Sequence, residues 1–527
     1  MPAEGAPAFD ASGSLVRLLA ARTAERPEHP FLWVEEEGPW TLAALAAEAV
    51  RVRERLTAAG VTAGGRVLVR AGNDASFLPA LVGTWLCRGV AVVMHPAAPL
   101  AEAGEVAASM EVTAVLARGD DDALAGAGAA HGVALRHTEP GDAPGVRLDV
   151  PEVDGDAPAL VLLTSGSTGR PKGVVLTHAA VWANLRATVS AFRSDTRPTP
   201  LPSTPRPPNL IANPLSHTAG LVRLLFALYV GRSVVLLRRF DARAAHAAVR
   251  RHGIDHLTLN PTMLRMLLDD LPPDADLARV RYASSGTAPL PPPLREAFEA
   301  RFGIPVLQAY GQTEAFGGIA IENVRDVLAG RRRPGSVGRP LPGVEVRIVR
   351  GDGSDAPAGE DGEICARSGS VTSGYVGTDS AAPVDGDGWL HTGDLGHIDG
   401  EGYLYVTGRL RNLIICGGFN VVPEEVEARL LEDPTVRAAA VTALADERLG
   451  EIPVALVESE EAADALLARA SARLAGYKRP RLLFTVPELP RLATGKVDLA
   501  ATRRLAAALA GRAASGVTES TAGSRSS

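Results

Sequence analysis

The sequence predicts an α/β fold: a large N-terminal part with two α/β subdomains and a β-rich subdomain, followed by a small α+β domain. Three observations predict it. Apolar runs with strand character alternate with stretches of helical spacing over residues 42–259. Short strands bounded by Gly, Pro or Asp dominate after residue 319, and a separate strand and helix pattern covers residues 413–511. A chain of 527 residues also exceeds what one hydrophobic core usually organises, so several domains are expected.

The first α/β elements follow in chain order. Helical spacing predicts helices over residues 42–59 and 77–87, and apolar runs predict strands over 66–69, 90–94, 159–163 and 173–176. Thr177 can cap a helix that begins near His178. Residues 193–209 are rich in Pro, Thr and Ser and predict an exposed loop. The alternation then resumes with elements at 215–230, 233–237, 242–251 and 256–259.

The later elements differ in character. Strands are expected at residues 344–349, 362–366 and 402–406. The first helix of the last segment is marked by Pro423 at an early position and by Glu424 and Glu425, which the helix dipole favours there. Between the two segments, residues 408–412 fit an inter-strand turn and a domain boundary equally well. Residues 1–12 and the small-residue tail 512–527 are expected to be flexible.

Composition and charge exclude several classes of protein. No run approaches the roughly 18–20 apolar residues of a membrane span, and the N-terminus lacks the features of a secretory signal, so a cytoplasmic protein is expected. Cys87, Cys365 and Cys416 have no metal-ligand spacing, which argues against a disulfide framework and a zinc site. A formal net charge of −7 argues against a nucleic-acid surface. The arginines at 331–333 predict solvated surface, with a phosphate-bearing cosubstrate as the alternative.

The stretch Thr164-Ser-Gly-Ser-Thr-Gly-Arg-Pro-Lys-Gly173 predicts a phosphate-binding loop between two strands. Its glycines allow backbone N–H groups to converge on an anion, and its hydroxyls and lysine add donors and charge. The candidate phosphate ligands are Thr164, Ser165, Gly166, Ser167, Thr168, Gly169 and Lys172. A Walker A loop needs a different spacing and opens a helix, so a P-loop NTPase is disfavoured. A flexible linker is disfavoured because apolar runs flank the stretch on both sides.

A second cluster, Tyr310-Gly-Gln-Thr-Glu314, follows the apolar residues 304–306 and so lies where a strand ends. Tyr310 offers a flat face for a base, and Thr313 offers a hydroxyl for a phosphate. Glu314 offers a hard oxygen ligand for Mg²⁺. A surface turn is the alternative interpretation of this pentapeptide.

Three more residues complete the set. Asp394, in Trp389-Leu-His-Thr-Gly-Asp394, can accept both hydroxyls of a ribose, and Arg409 can place a cation beside the same sugar. Lys496, in Pro490-Arg-Leu-Ala-Thr-Gly-Lys496, can pair a carboxylate with an α-phosphate. Taken singly, these residues also fit a turn-forming Asp and solvated cations. In this order along one chain, they supply what ATP-dependent activation of a carboxylate requires.

This set resembles the adenylate-forming enzymes, which comprise acyl-CoA synthetases, peptide-synthetase adenylation domains and beetle luciferases. The resemblance covers residues 15–508, and the 164–173 signature is highly specific. The long stretches 385–396 and 413–427 are most similar to the acyl-CoA synthetase branch. The resemblance implies that ATP and a carboxylic acid form an acyl-adenylate and pyrophosphate. A thiol, usually that of coenzyme A, then displaces AMP to give a thioester.

The resemblance also implies roles for the candidate residues. Residues 164–172 hold the phosphates, Thr313 touches the α-phosphate and Glu314 binds Mg²⁺. The adenine and ribose would be held by Ser285, Gly286, Thr287, Tyr310, Gly311, Asp394 and Arg409. Lys496 serves the first half-reaction. The small domain then rotates about a hinge at Arg411 and brings Gly417 and Gly418 into the site. The implied domains are 13–408 for ATP and acid, 409–412 as hinge and 413–511 as the mobile C-terminal domain.

The identity of the acid is bounded by residues 213–220, which resemble the family's acyl-pocket entrance, with His217 at the gate position. A hydrogen-bonded structural histidine is the alternative for His217. Enzymes for α-amino acids usually place an Asp in this segment, and none occurs, so a non-amino carboxylic acid is expected. Gly317 and Gly318 leave room for an acyl chain. Arg223 is expected to point outward from an otherwise apolar helix, with pairing to a second carboxylate as the alternative.

Three functions follow for the chain. The first is an ATP- and Mg²⁺-dependent acyl- or aryl-CoA ligase with CoA as cosubstrate. The second is an adenylating enzyme that passes the acyl group to an acyl carrier protein or a small nucleophile. The third is a catalytically silent nucleotide-binding protein, which is disfavoured because Lys172, Glu314, Asp394, Arg409 and Lys496 are all present.

Overall fold

The predicted alternation of strands and helices is present in the computed structural model of the chain. The structure describes residues 12–35, 37–118, 131–135, 146–165, 171–192, 206–277, 279–377, 383–417, 419–471, 474–492 and 495–514. The helices are α1 Val16–Glu25, α2 Leu42–Ala58, α3 Phe77–Leu86, α4 Leu100–Ser109, α5 His178–Phe192, α6 Thr218–Val230, α7 Ala242–His252, α8 Pro261–Asp270, α9 Pro292–Phe302, α10 Val324–Leu328, α11 Pro423–Leu430, α12 Ala463–Ser471 and α13 Leu499–Ala514.

The strands interleave with these helices through the first two thirds of the chain and dominate after it. They are β1 Pro30–Val34, β2 Pro39–Thr41, β3 Arg66–Arg70, β4 Val90–Val93, β5 Val112–Arg118, β6 His131–Leu135, β7 Pro158–Ser165, β8 Pro171–Thr177, β9 Asn209–Ile211, β10 Val234–Leu236, β11 His256–Leu259, β12 Tyr282–Ser285, β13 Val306–Gln312, β14 Gly317–Ile321, β15 Arg339–Pro340, β16 Glu345–Val349, β17 Gly362–Arg367, β18 Gly374–Val376, β19 Leu390–Ile398, β20 Leu404–Arg409, β21 Ile414–Cys416, β22 Phe419–Val421, β23 Ala438–Asp446, β24 Gly450–Glu458 and β25 Leu482–Val486.

Five sheets organise the described strands. Within the N-terminal part they have the orders β18-β8-β7-β4-β3-β5-β6, β2-β1-β10-β9, β11-β12-β13-β14-β15 and β16-β17-β19-β20. The C-terminal sheet contains β22, β21, β24 and β23, with β25 parallel to β24. The sequence predicted one β-rich subdomain after residue 319. In the structure β14 and β15 extend the sheet that contains β11, β12 and β13, and β18 joins the sheet that contains β7 and β8. These strands therefore connect the β-rich segment to both of those α/β sheets.

Local side-chain bonds set several element boundaries. The Thr177 hydroxyl accepts a hydrogen bond from the Ala180 N–H at 3.1 Å and caps α5, as predicted. The predicted helix over 215–230 begins later, at Thr218, because His217 caps it. The predicted strand at 402–406 begins at Leu404, because Asp399 Oδ1 accepts from the Tyr403 N–H at 2.9 Å and closes a turn.

The core of the first α/β sheet fixes the strand that leads into the predicted phosphate loop. Trp85 on α3 and Trp182 on α5 are fully buried. The Trp85 indole N–H donates to the Ala159 carbonyl on β7 at 2.9 Å. Burying one such ring stabilises the fold by about 4–6 kcal/mol before entropy costs. The strand β7 is therefore held rigidly against two helices.

Secondary-structure elements lie at two of the predicted domain boundaries. Arg409 ends a strand of one sheet, a short 3₁₀ turn covers Leu410–Asn412, and Ile414 begins a strand of the C-terminal sheet. Helix α13 continues to Ala514, three residues into the predicted tail. Residues 1–11, 193–205 and 515–527, where flexible ends and a loop were predicted, lie outside the described residues. Among the described helices, none has the length and apolar character that a bilayer span requires.

Candidate active site

Asp394 lies at the centre of a hydrogen-bonded group formed by three predicted site residues. It is 3% exposed and is the register partner of Arg409 across β19 and β20. Its Oδ1 pairs with Arg409 Nε at 2.5 Å, and its Oδ2 accepts the Tyr310 hydroxyl at 2.7 Å. Burial and the Asp394 charge raise the pKa of Tyr310, so its hydroxyl remains a donor. Each carboxylate oxygen keeps a further lone pair that can accept a ribose hydroxyl.

Glu314 and Lys172 meet around a tyrosine that the sequence did not predict. The Tyr375 hydroxyl donates to Glu314 Oε1 at 3.0 Å, and Lys172 Nζ lies 5.2 Å from the centre of the Tyr375 ring. The Thr372 N–H also donates to the Glu314 carbonyl at 2.7 Å. Tyr375 reaches this place because β18 pairs with β8, a long-range pairing that no local pattern marks.

The predicted phosphate loop is the tip of the β7–β8 hairpin. Thr164 is the register partner of Lys172, and Ser165 is the partner of Pro171. The expectation that the loop joins strand to strand is therefore met. Gly166, Ser167, Thr168 and Gly169 lie outside the described residues, so their phosphate-binding role stays a prediction.

The predicted adenine residues lie at the ends of the neighbouring parallel strands β12 and β13. A Cβ at Gly286 would lie 3.3 Å from the Ala309 carbonyl oxygen, so this backbone passes close beside β13. Gly311 is more constrained, because a Cβ there would lie 1.6 Å from the Gly317 carbonyl oxygen. Thr287 adopts a left-handed conformation with φ 72°, which costs strain in a non-glycine residue. These features keep a slot of bare backbone beside Tyr310.

Two buried polar groups near this slot have no hydrogen-bond partner among the described residues. They are the Ser285 hydroxyl at the end of β12 and the side-chain Nε2 of Gln312 at the end of β13. Unpartnered buried polar groups are rare because each costs about 1–3 kcal/mol. Their position at the carboxyl ends of the strands is where ligands bind in α/β sheets.

Lys496 is brought to the Asp394 group by the C-terminal domain. The Thr262 hydroxyl, on α8 of the N-terminal part, donates to the Gly495 carbonyl at 3.2 Å. Burial lowers the pKa of Lys496, the charges of Arg409 and Arg411 lower it further, and Asp394 opposes them. The two domains therefore meet at this lysine.

His217 caps α6 and also faces the lysine. Its Nδ1 accepts from the Ala219 N–H at 3.3 Å. Burial lowers the pKa of His217 to about 4, and the Lys496 charge contributes. The structural role that the sequence left open is therefore present, and the ring remains neutral at physiological pH. Next to it, the Thr218 and Thr313 hydroxyls lie 2.9 Å apart and join α6 to the predicted α-phosphate residue.

We expect the adenylation rate to show no histidine inflection near pH 6.5 from His217. Its folded pKa lies below the unfolded value of 6.5, so only the unfolded chain gains a proton between pH 6.5 and 4. The stability contributed by the neutral ring is present above pH 6.5 and is lost as pH falls toward 4. A His217→Asn variant, which keeps a cap acceptor, should lose about 1–3 °C less in Tm than wild type between pH 7 and 4.5. Parallel Tm curves would contradict this.

The structure corrects the expectation that Arg223 points outward. Its guanidinium Nη2 lies 3.5 Å from the Ser284 hydroxyl, and Ser284 on β12 is 4% exposed. The expectation failed because it rested on the cost of burying an arginine on an apolar helix. The helix is apolar because its other faces pack into the core. An arginine that points inward is therefore compatible with an apolar helix.

Gly417 lies on the exposed β21–β22 hairpin, where its N–H donates to the Leu449 carbonyl at 2.8 Å. Among the described residues, no hydrogen bond or ion pair joins this hairpin to Asp394, Glu314 or Lys172. Gly418 lies outside the described residues. The structure therefore has the lysine loop, and not this hairpin, at the site.

Cys365 belongs to a cluster that sequence spacing did not reveal. Its thiol, the Glu363 carboxylate and the His391 ring have ligand atoms within 4.8 Å of one another. Burial raises the pKa of the Cys365 thiol to about 12, which disfavours the thiolate that a metal requires. Glu363 raises the pKa of His391 and also accepts from the Gly393 N–H at 3.0 Å. We interpret the cluster as support for the strand that carries Asp394, and the absence of a zinc site stays a prediction.

Comparison with known proteins places this geometry in a family. A family model described as AMP-binding enzyme matches residues 19–376, and one described as AMP-binding enzyme C-terminal domain matches residues 425–496. The chain is 36% identical to sulfoacetate–CoA ligase of Cupriavidus necator over 92% of its own length and 96% of that protein. It is 36% identical to indoleacetate–CoA ligase of Aromatoleum aromaticum over 68% and 69% of the two lengths. It is 34% identical to 2-succinylbenzoate–CoA ligase of Bacillus cereus over 64% and 68%.

Solved structures agree over nearly the whole chain. O-succinylbenzoate coenzyme A synthetase of Bacillus subtilis, in complex with ATP and a magnesium ion, gives a TM-score of 0.78 at 29% identity, covering 92% of this chain and 99% of that one. ATP-bound MatB of Rhodopseudomonas palustris gives a TM-score of 0.81 at 27% identity, covering 93% and 98%. The fold expected from the resemblance, a large AMP-binding domain followed by a small C-terminal domain, is confirmed.

Fold, site and comparisons define an adenylate-forming enzyme, and the chain belongs to the AMP-binding enzyme family. Within that family it is an AMP-forming acid–CoA ligase, which forms an acyl-adenylate and then a CoA thioester. A carboxylic acid, ATP and CoA are its substrates, as the first predicted function stated.

Proposed function

We propose that this ligase activates a non-amino carboxylic acid at the site formed by Asp394, Arg409, Glu314, Lys172 and Lys496. One observation carries the assignment: Lys496 of the C-terminal domain is half-buried and lies within electrostatic reach of Arg409, Asp394 and His217 of the N-terminal part. An enzyme that must place a cation between two anions in one step and withdraw it in the next can do so if a second, movable domain carries that cation. A silent nucleotide-binding protein gains nothing from placing a half-buried lysine beside Arg409 and Arg411.

In the first half-reaction a carboxylate oxygen attacks the α-phosphorus of ATP, and the bond from that phosphorus to the β-bridging oxygen breaks to release pyrophosphate. Both reactants are negative, so cations must lie between them. We assign this role to Lys496 on the α-phosphate and carboxylate and to Lys172 on the departing phosphates. Asp394, through its two oxygens, holds the ribose, while Tyr310 and the bare backbone at Gly286 and Gly311 flank the adenine.

The residues also suit Mg²⁺. Glu314 supplies a carboxylate, a hard oxygen ligand, and its Oε1 is held in place by the Tyr375 hydroxyl at 3.0 Å. Lys172 lies over the same tyrosine ring, so the carboxylate is beside the predicted phosphate loop. Bound there, the ion would neutralise phosphate charge. The chain's own contribution is the fixed orientation of Glu314, which Tyr375 and the backbone bond from Thr372 provide.

In the second half-reaction the CoA thiolate attacks the acyl carbon, a carbon–sulfur bond forms, and AMP leaves with the electrons of the acyl–phosphate bond. We propose that the C-terminal domain rotates about the 3₁₀ turn at Leu410–Asn412 between the two steps. The β21–β22 hairpin supports this, since Ile415 is 56% exposed and Phe419 57% exposed. Apolar side chains left in water on one face, while Gly495 beside the lysine contacts the N-terminal part through Thr262, suit a domain with two docking positions.

The substrates of the relatives indicate the class of acid but not its distal group. Sulfoacetate and 2-succinylbenzoate each carry a second anionic group, whereas indoleacetate carries an apolar ring. The names therefore agree on a non-amino acid and disagree on what lies at its far end. All three relatives use CoA, which supports CoA over a carrier protein as the acceptor.

The proposal is tested by incubating the purified protein with ATP, Mg²⁺ and a panel of carboxylic acids, with and without CoA. We expect pyrophosphate release with at least one non-amino acid and thioester formation only when CoA is present. Alanine, valine and phenylalanine serve as the amino acid controls and should give no release. Pyrophosphate release without any CoA thioester would overturn the assignment of CoA as the acceptor. Pyrophosphate release with the amino acids alone would overturn the assignment of a non-amino acid as the substrate.

A further inference from the structure

Helix α6 carries one stripe of partly exposed side chains. Ala219, Val222, Arg223 and Phe226 keep part of their surface accessible, while every other position from Thr218 to Val230 is buried. The four residues have the spacing i, i+3, i+4 and i+7, so they lie on one face. Buried helices of this kind keep an accessible stripe only where the packing leaves space.

The stripe faces the strands that hold the predicted nucleotide residues. A Cβ on Gly317, in β14, would lie 3.4 Å from Val222. Arg223 Nη2 lies 3.5 Å from the Ser284 hydroxyl, and the residues after Ser284 are the predicted adenine residues. The accessible space beside the stripe therefore lies between α6 and the β12–β14 strands, inside the site.

The space beside α6 extends along the helix axis, so it has one end near His217 and another near Arg223. His217 caps the helix next to Lys496, at the reacting end. Arg223 is six residues further on, about 9 Å along the axis at 1.5 Å per residue. An acid whose carboxylate is at the His217 end would present its other end to Arg223.

Arg223 has no carboxylate partner among the described residues. Within the part of the chain that the structure describes, its hydrogen bond goes to the neutral Ser284 hydroxyl and is long, at 3.5 Å. The ionisable groups around it are Tyr282 and His256, and burial lowers the pKa of His256, so neither supplies a negative charge. Arg232, which follows the same helix, is satisfied by Asp255 at 2.6 Å. Burial lowers the pKa of Arg223 to about 10, so it remains a cation at neutral pH.

A cation held partly out of water without a counter-charge is costly, and an anionic ligand in the space beside it would remove that cost. We propose that Arg223 binds a second anionic group, a carboxylate or a sulfonate, at the far end of the acid and so makes the ligase selective for such acids. This inference rests on the proposed function, because it assigns one end of the same acid site. The planar guanidinium suits both groups, since it donates two parallel hydrogen bonds to a carboxylate or sulfonate.

The test compares kcat/KM for matched acids in the wild type and in Arg223→Met. The acids are a sulfo-carboxylic acid, a dicarboxylic acid and a neutral monocarboxylic acid of similar length. We expect the wild type to prefer the anionic acids and Arg223→Met to lower the ratio of anionic to neutral acid by about 100-fold or more. The sulfo and dicarboxylic arms tell which anion is preferred. Arg243→Met, at an exposed position of α7, is the matched control and should leave the ratio unchanged.

The outcomes separate the inference from the function. Thioester formation in the wild type with neutral acids only, or an unchanged ratio in Arg223→Met, would overturn the role of Arg223 and leave the ligase intact. No thioester with any acid would instead count against the proposed function. If Arg223→Met does not fold, Arg223→Gln carries the same test, because it removes the charge and keeps a polar head. Arg223→Lys should retain part of the preference.

Discussion

Replacing Lys496 by alanine is expected to lower the rate of adenylate formation by at least about 100–1,000-fold and to leave thioester formation from a supplied acyl-adenylate nearly unchanged. The reason is electrostatic. Lys496 is half-buried next to Arg409, Arg411 and Asp394, where a positive charge acts in a lower dielectric than that of water. It stabilises charge that develops only when two anions meet at the α-phosphorus, and the second half-reaction has no such encounter.

The measurement is ATP–pyrophosphate exchange for the first step and thioester formation from chemically prepared acyl-adenylate for the second. Lys478→Ala is the matched control. It removes a lysine from the same domain, but this lysine pairs with Glu425 at 2.6 Å and lies away from the described site contacts. Its effect on exchange should be less than about threefold, as for most partly exposed ion pairs. An equal loss of both half-reactions in Lys496→Ala would contradict the domain rotation.

The sequence predicted the site best where the functional group and the structural pattern coincide. The predicted phosphate loop lies between two apolar runs, so the same ten residues predicted both the strand pairing, which the structure has, and the phosphate chemistry, which stays a prediction. Asp394 and Arg409 were predicted to lie near one sugar, and the structure makes them register partners across two strands. Such residues are predictable because short, regular segments position them.

The residues that sequence reasoning missed all depend on long-range packing. Tyr375 orients Glu314 only because the short strand β18 pairs with β8, nearly two hundred residues earlier in the chain. Glu363 supports Gly393 across a sheet. Arg223 was expected outside because α6 is apolar, yet periodicity does not tell which of two packed faces borders a cleft. A helix buried on most sides offers no solvent face, so an arginine on it must face a space within the protein.

The position of the C-terminal domain is coupled to the predicted nucleotide site of the N-terminal part. The Asp394–Arg409 pair belongs to the N-terminal part, but Arg409 is also the last residue of β20 before the turn that leads to the C-terminal sheet. A change in the direction of that turn therefore acts directly next to the residue pair that is predicted to hold the ribose. In the same segment Asn412 donates to Glu424 at 3.1 Å, which ties the start of the C-terminal helix α11 to the turn.

Replacing Asp394 by asparagine is expected to raise the KM for ATP by about 30–300-fold, equivalent to about 2–3 kcal/mol. Asparagine keeps the shape and removes the charge, so Arg409 loses its counter-ion and one oxygen acceptor becomes a donor. The remaining oxygen cannot accept both the ribose and the existing partners. The Arg409 side chain is 40% exposed, so water compensates for part of the lost ion pair and the global stability changes less than the affinity.

Two variants separate the charge of Asp394 from its hydrogen bond. Tyr310→Phe removes only the 2.7 Å bond to Oδ2 and should raise the KM for ATP by less than about tenfold, the value of one neutral donor. Asp387→Asn makes the same chemical change at an exposed position in the preceding turn and should have no effect on ATP. Steady-state kinetics, with ATP and then CoA varied while the other substrates are saturating, measure all three. An Asp394→Asn variant that raised the KM for CoA and not that for ATP would place this carboxylate outside the nucleotide site, and the assignment of the whole Asp394 group would be wrong.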